Sequence, residues 1–140
     1  MNVLVIGGGG REHAIITALA KSNKVDKLYA APGNGGISRD AELVNIGVMD
    51  KENMVKFAKD NAIDLVMVAP DDPLVLGMVD ALQAEGFKTF GPKKNAAIIE
   101  GSKVFSKDLM KKYNIPTCHY ETFNSPEEAL LYLESASFPI

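Results

Sequence analysis

A doubly wound parallel α/β sheet is the fold class this sequence predicts, on three observations. Val3-Leu4-Val5-Ile6, Lys27 to Ala31 and Asp64 to Ala69 are mostly apolar along their whole length, as strands covered on both faces are. Stretches with apolar residues at helical spacing lie between them. Glycine, proline or aspartate marks the junctions, so strand and helix alternate at the spacing of right-handed βαβ units.

Taken in order, the first strand breaks into Gly7-Gly8-Gly9-Gly10, and a helix follows from about Glu12 to Lys21 through Ile15, Ile16, Ala18 and Leu19. The second strand, Lys27 to Ala31, ends in Pro32-Gly33-Asn34-Gly35-Gly36, too rich in glycine for helix or strand. Leu43-Val44-Asn45-Ile46 is a third strand candidate. Asp50 is placed to cap a helix carrying Met54, Val55, Phe57 and Ala58. The fourth strand, Asp64 to Ala69, stops at Pro70-Asp71-Asp72-Pro73. Asp72 as N-cap and Pro73 at the first helical position predict a helix from Leu74 through Ala84, stopped by Gly86. Phe87 to Phe90 forms a short fifth strand closed by Gly91-Pro92.

Beyond this the texture changes. Lys94 to Glu100 and Ser102 to Tyr113 read as helices, the second with an apolar stripe of Phe105, Leu109 and Tyr113 beside a basic one of Lys103, Lys107 and Lys111. Tyr120 to Phe123 suggests a strand. Ser125-Pro126-Glu127-Glu128 matches a capping box with proline at the first helical position, opening a helix through Leu133. Ser137 to Ile140 reads as the beginning of a further apolar strand, so the chain is expected to be part of a longer protein. The domain expectation is residues 1–100 as one α/β domain and 101–140 as the opening of a second.

With 140 residues, 46% hydrophobic and 24% charged, the composition is that of an ordinary globular protein. A net charge of −3 offers no broad attraction to nucleic acid or to an anionic membrane, and neither is expected as a partner. No apolar run reaches the roughly 20 residues of a membrane helix. One cysteine, Cys118, and no signal-like start predict a cytoplasmic setting. His13 and His119 lie in no Cys/His cluster, which argues against intrinsic zinc.

A glycine turn between strand and helix lets backbone N–H groups converge on an anion at the positive end of the helix dipole. The dinucleotide fingerprint requires more. Gly7 and Gly9 fill its first two glycine positions, but Glu12 stands at the third, and Ala31-Pro32 replaces the acid expected at the end of the second strand. No Gly-Lys-Ser/Thr follows, so the Walker pattern is missing too. Arg11 can add a charge-assisted contact to phosphate, although a surface arginine paired with Glu12 or with nothing is the plainer alternative. In an open α/β sheet the ligand crevice lies at the carboxyl ends of the strands, where four loops converge: Gly7 to Arg11, Pro32 to Gly36, Pro70 to Pro73 and Gly91-Pro92. Amides, a cation and the carboxylates of Asp71 and Asp72 suit a sugar phosphate.

Five segments in order, Gly7-Gly8-Gly9-Gly10-Arg11-Glu12-His13, Ala31 to Gly36, Pro70-Asp71-Asp72-Pro73-Leu74, Phe90-Gly91-Pro92 and Glu100-Gly101-Ser102-Lys103, resemble the successive motifs of the phosphoribosylamine–glycine ligases, an ATP-grasp family. The resemblance implies a Rossmann-like domain preceding an ATP-grasp domain. It implies the joining of glycine to 5-phosphoribosylamine with hydrolysis of ATP to ADP and phosphate, in de novo purine biosynthesis, with ATP and Mg2+ as cofactors. Carried over, Gly8, Gly9, Gly10, Arg11, Glu12 and His13 face the substrate phosphate, and Asn34, Gly35 and Gly36 close the pocket. Asp71 stands where many members carry glutamate and meets the ribose. Lys103 reaches the ATP phosphates. No catalytic residue is assigned, and the chain alone is expected to be inactive. The competing expectation is a Rossmann-like module that binds NAD or senses nucleotides.

Overall fold

The computed structural model of the chain describes residues 1–138 and divides into two compact units, residues 1–101 and 102 onward. The apolar strand expected from Ser137 runs onto Pro139 and Ile140, which lie outside the described residues.

The first unit is a five-stranded parallel sheet in the order β3-β2-β1-β4-β5. Its strands are β1 (Asn2–Gly7), β2 (Lys27–Pro32), β3 (Glu42–Leu43), β4 (Leu65–Val68) and β5 (Lys88–Phe90). Central β1 is the most deeply buried, with Val3, Leu4, Val5 and Ile6 all fully sealed from solvent. Alternation sends them to opposite faces. Leu4 and Ile6 join Tyr29, Met54, Met78 and Leu82 in one core, while Val3 and Val5 join Ile16, Leu28, Ala30 and Ile37 in the other. Each such aliphatic side chain contributes about 1.5–3 kcal/mol by leaving water. Two separate cores are the physical content of "doubly wound": α1 (Gly10–Leu19) supplies Ile16 to one, while α2 (Lys51–Asp60), α4 (Met78–Ala84) and α5 (Lys94–Gly101) supply Met54, Leu82 and Ala97 to the other.

Several boundaries differ from the sequence expectation. The third strand was expected over Leu43–Ile46 but holds only Glu42 and Leu43. Val44 N still donates to Ala30 O at 2.8 Å, but Ile46 N then turns back onto Val44 O at 2.7 Å and curls the chain off the edge. The helix expected from Leu74 to Ala84 is two. α3 (Asp71–Val75) starts earlier, with Pro70 rather than Asp72 as N-cap, and Gly77 interrupts at φ +86°, a left-handed conformation that glycine tolerates. Asp50 does cap α2, accepting from Asn53 N at 3.1 Å.

In the second unit, α6 (Lys103–Lys112) and α7 (Pro126–Ser135) begin at serine caps. Ser102 Oγ accepts from Phe105 N and Ser125 Oγ from Glu128 N, each at 3.2 Å. Glu128 reaches back to Asn124 N at 2.8 Å, one residue beyond the expected capping box. Tyr120 to Phe123 is not a strand. No edge pairs with it, and its side chains are used locally: Tyr120 Oη donates to Asp108 and Phe123 packs on Tyr132, with ring centroids 5.3 Å apart. Among the described residues no helix is long and apolar enough to cross a membrane.

Candidate functional site

The strand order reverses at β1, whose neighbours β2 and β4 lead to opposite sides of the sheet. A crevice opens outside the carboxyl ends of the strands at such a switch. β1 delivers its glycines there. Gly7 leaves the strand at φ +131°, and Gly9 becomes the N-cap of α1, two residues earlier than the helical pattern alone suggests.

Backbone contact holds this turn to the loop after β2. Gly7 O accepts from Gly33 N at 3.1 Å, and a Cβ on Gly8 would lie 2.6 Å from Gly33 O. The Asn34 side chain completes the join. Its Nδ2 donates to Gly8 O at 2.8 Å while its Oδ1 accepts from Gly36 N at 2.8 Å and Ile37 N at 3.0 Å. Asn34 is thereby committed to the scaffold on both ends of its amide. Gly36 is tight against His13, whose Cε1 would stand 2.8 Å from an added Cβ, and His13 is half-buried there. Gly10 and Gly35 would meet nothing within 4 Å. They border open space.

Glu12 turns inward. At 4% exposure it is the one buried charged side chain among the described residues, and its Oε2 accepts from Gly9 N at 2.6 Å. The amides of Gly10 and Arg11, at the first helical positions, have no acceptor within the helix. Arg11 is exposed, and none of the ion pairs among the described residues includes it.

Arg11, Asp71, Leu74, Pro92, Ala97 and Glu100 line a cavity of about 260 Å³. The loops after β1, β4 and β5 thus meet around one small volume with a cation and two carboxylates on its wall. The loop after β2 takes part through the glycine turn that Asn34 clamps. Asp71, at the first position of α3, is exposed. Glu100 opens the Glu100-Gly101-Ser102-Lys103 segment and has no site role among the sequence expectations. Its signal was available, since it sits three residues after buried Ala97 and so on the same helix face. Lys103 opens α6 in the second unit and is exposed. Among the described residues no group of three His, Cys, Asp or Glu side chains could hold a metal ion.

Fold and site together define a doubly wound α/β protein whose glycine turn departs from the dinucleotide pattern. The chain belongs to the phosphoribosylglycinamide synthetase family: residues 1–100 match its N domain and residues 101–140 its ATP-grasp (A) domain. It is 51% identical over its whole length to the phosphoribosylamine–glycine ligase of Caldanaerobacter subterraneus, covering 34% of that protein. The crystal structure of phosphoribosylamine–glycine ligase from Thermotoga maritima superposes with a TM-score of 0.74 at 33% identity, over 99% of this chain and 32% of that one. The biotin carboxylase domain of Hydrogenobacter thermophilus 2-oxoglutarate carboxylase, solved with MgADP and bicarbonate, has a TM-score of 0.72 at 16% identity, over 99% of this chain and 33% of that one, and shows the shared fold alone. The chain spans about a third of the length of the curated relatives it matches.

Proposed function

We propose that this chain contributes the phosphoribosylamine-binding domain of a phosphoribosylamine–glycine ligase, and that the ligation belongs to a protein of the length of its relatives. In that reaction the glycine carboxylate is activated as an acyl phosphate, the phosphoribosylamine nitrogen attacks its carbonyl carbon, and phosphate leaves. ATP, with Mg2+, supplies the phosphoryl group. Among the described residues no group of three His, Cys, Asp or Glu side chains is assembled for a metal, and Lys103 is the one side chain proposed to meet ATP phosphate.

The observation that carries this reading is the exposed Arg11, in no ion pair among the described residues, beside the open helix amides and lining one cavity with Asp71. The Gly10 and Arg11 amides and the Arg11 guanidinium hold the phosphate. Asp71 accepts ribose hydroxyls. Gly8, Asn34 and Gly36 fix the turn in place, Gly35 leaves its mouth open, and His13 backs it from the helix side.

The test is an amide NMR titration of the chain with ribose 5-phosphate, a stable stand-in for phosphoribosylamine. Shifts concentrated at Gly8 to His13, Gly33 to Gly36 and Asp71 are expected. No response to the sugar phosphate, or a response to NAD instead, overturns the assignment.

A further inference from the structure

Glu12 occupies the position that the dinucleotide fingerprint gives to its third glycine, and it fills the turn from within. A Cβ on Gly7 would fall 2.4 Å from Glu12 Cγ, and one on Gly9 would fall 2.8 Å from Glu12 Oε2. The space these glycines leave open is therefore taken by a carboxylate of the chain itself. That carboxylate has also claimed the Gly9 N–H.

Two consequences follow for any anion on the turn. The donors remaining at the helix start are the Gly10, Arg11 and Glu12 amides, joined by the Arg11 guanidinium, enough for one phosphate group. A second phosphate laid along Gly7 to Gly9 would meet the Glu12 carboxylate at close range, and like charges there repel. The glycines of the fingerprint serve to let a pyrophosphate approach the backbone. Glu12 reverses that effect.

We propose that Glu12 is the selectivity residue of this turn, admitting a sugar phosphomonoester and refusing the diphosphate of a nucleotide or dinucleotide. The assignment rests on the phosphate-binding reading above and adds the class of phosphate that the site accepts. Glu12 acts through the shape and charge of the turn and is a positioning residue.

The experiment compares two probes that share one ribose 5-phosphate, the free monoester and ADP-ribose, in which the same phosphate is extended to a diphosphate. Affinities are measured by titration calorimetry for the native chain, Glu12→Gln and Glu12→Gly. The native chain is expected to favour ribose 5-phosphate by about tenfold or more. Glu12→Gln keeps an oxygen for Gly9 N but drops the charge, and should narrow that ratio by about threefold. Glu12→Gly should narrow it further. If Glu12→Gly fails to fold, the ratio for Glu12→Gln decides. An unchanged ratio in the variants, or equal affinity of the native chain for both probes, overturns the role of Glu12 while leaving the sugar-phosphate reading intact. Conversely, a native chain that ignores ribose 5-phosphate while the variants gain ADP-ribose keeps the role of Glu12 and removes the proposed substrate.

Discussion

The two units are built on opposite balances of core and local structure. Residues 1–101 enclose two apolar cores with fourteen side chains fully sealed from water, whereas no described residue from 102 onward is buried. In the second unit Leu130 is 63% exposed and Leu131 66% exposed, and α6 and α7 rest on serine caps and surface pairs. The difference teaches that helix signals and core formation are separable. Capping and amphipathic spacing specify where a helix begins. Burial alone makes its apolar face count.

The largest effect that would sharpen this contrast comes from truncating the first core. Leu4→Ala should lower unfolding free energy by about 2–5 kcal/mol, while Leu131→Ala stays within about 0.5 kcal/mol. Urea denaturation followed by circular dichroism reads both, and similar losses would erase the distinction between the units. Next, Arg11→Ala removes an exposed cation that makes no ion pair among the described residues, so the melting temperature should hold while ribose 5-phosphate affinity falls about tenfold. Unchanged binding would remove Arg11 from the site. A smaller change is expected from Ser125→Ala, which deletes the cap of α7 and costs about 1 kcal/mol of helix stability. Hydrogen exchange should accelerate in residues 126–135 and leave β1 untouched.

The smallest effect concerns Cys118. Lys107 Nζ stands 3.0 Å from its Sγ, and that hydrogen bond, with the ammonium charge behind it, pulls the thiol below its ordinary pKa. The thiolate is the form that alkylates. At about pH 8 the native chain should therefore react with iodoacetamide faster than Lys107→Ala, in which the thiolate fraction is lower. Equal rates would show that the contact has no influence on the thiol.

Much of the fold was legible because its signals are local. The β1 run, the Asp50 cap and the Ser125-Pro126 helix start each depend on a few neighbouring residues, and each stands where the pattern put it. Elements that depend on remote partners were read less well. Ser125 caps α7 on its own, but Tyr120 to Phe123 needed a neighbouring strand to become one. The Leu74 to Ala84 pattern likewise hid the left-handed break at Gly77.

For the candidate site the division is sharper still. Local pattern along the chain is enough to show that a glycine turn opens a helix, that its third fingerprint position is Glu12, and that Arg11 and Asp71 lie at the carboxyl ends of strands. Only the tertiary structure decided that Glu12 points into the turn rather than outward, that Asn34 spends its amide joining two loops, and that Glu100 reaches the same cavity as Arg11. Local sequence sets which backbone groups are left without partners. Which side chain satisfies or faces them depends on parallel strands that bring residue 7 to residue 33 and residue 11 to residues 71 and 100.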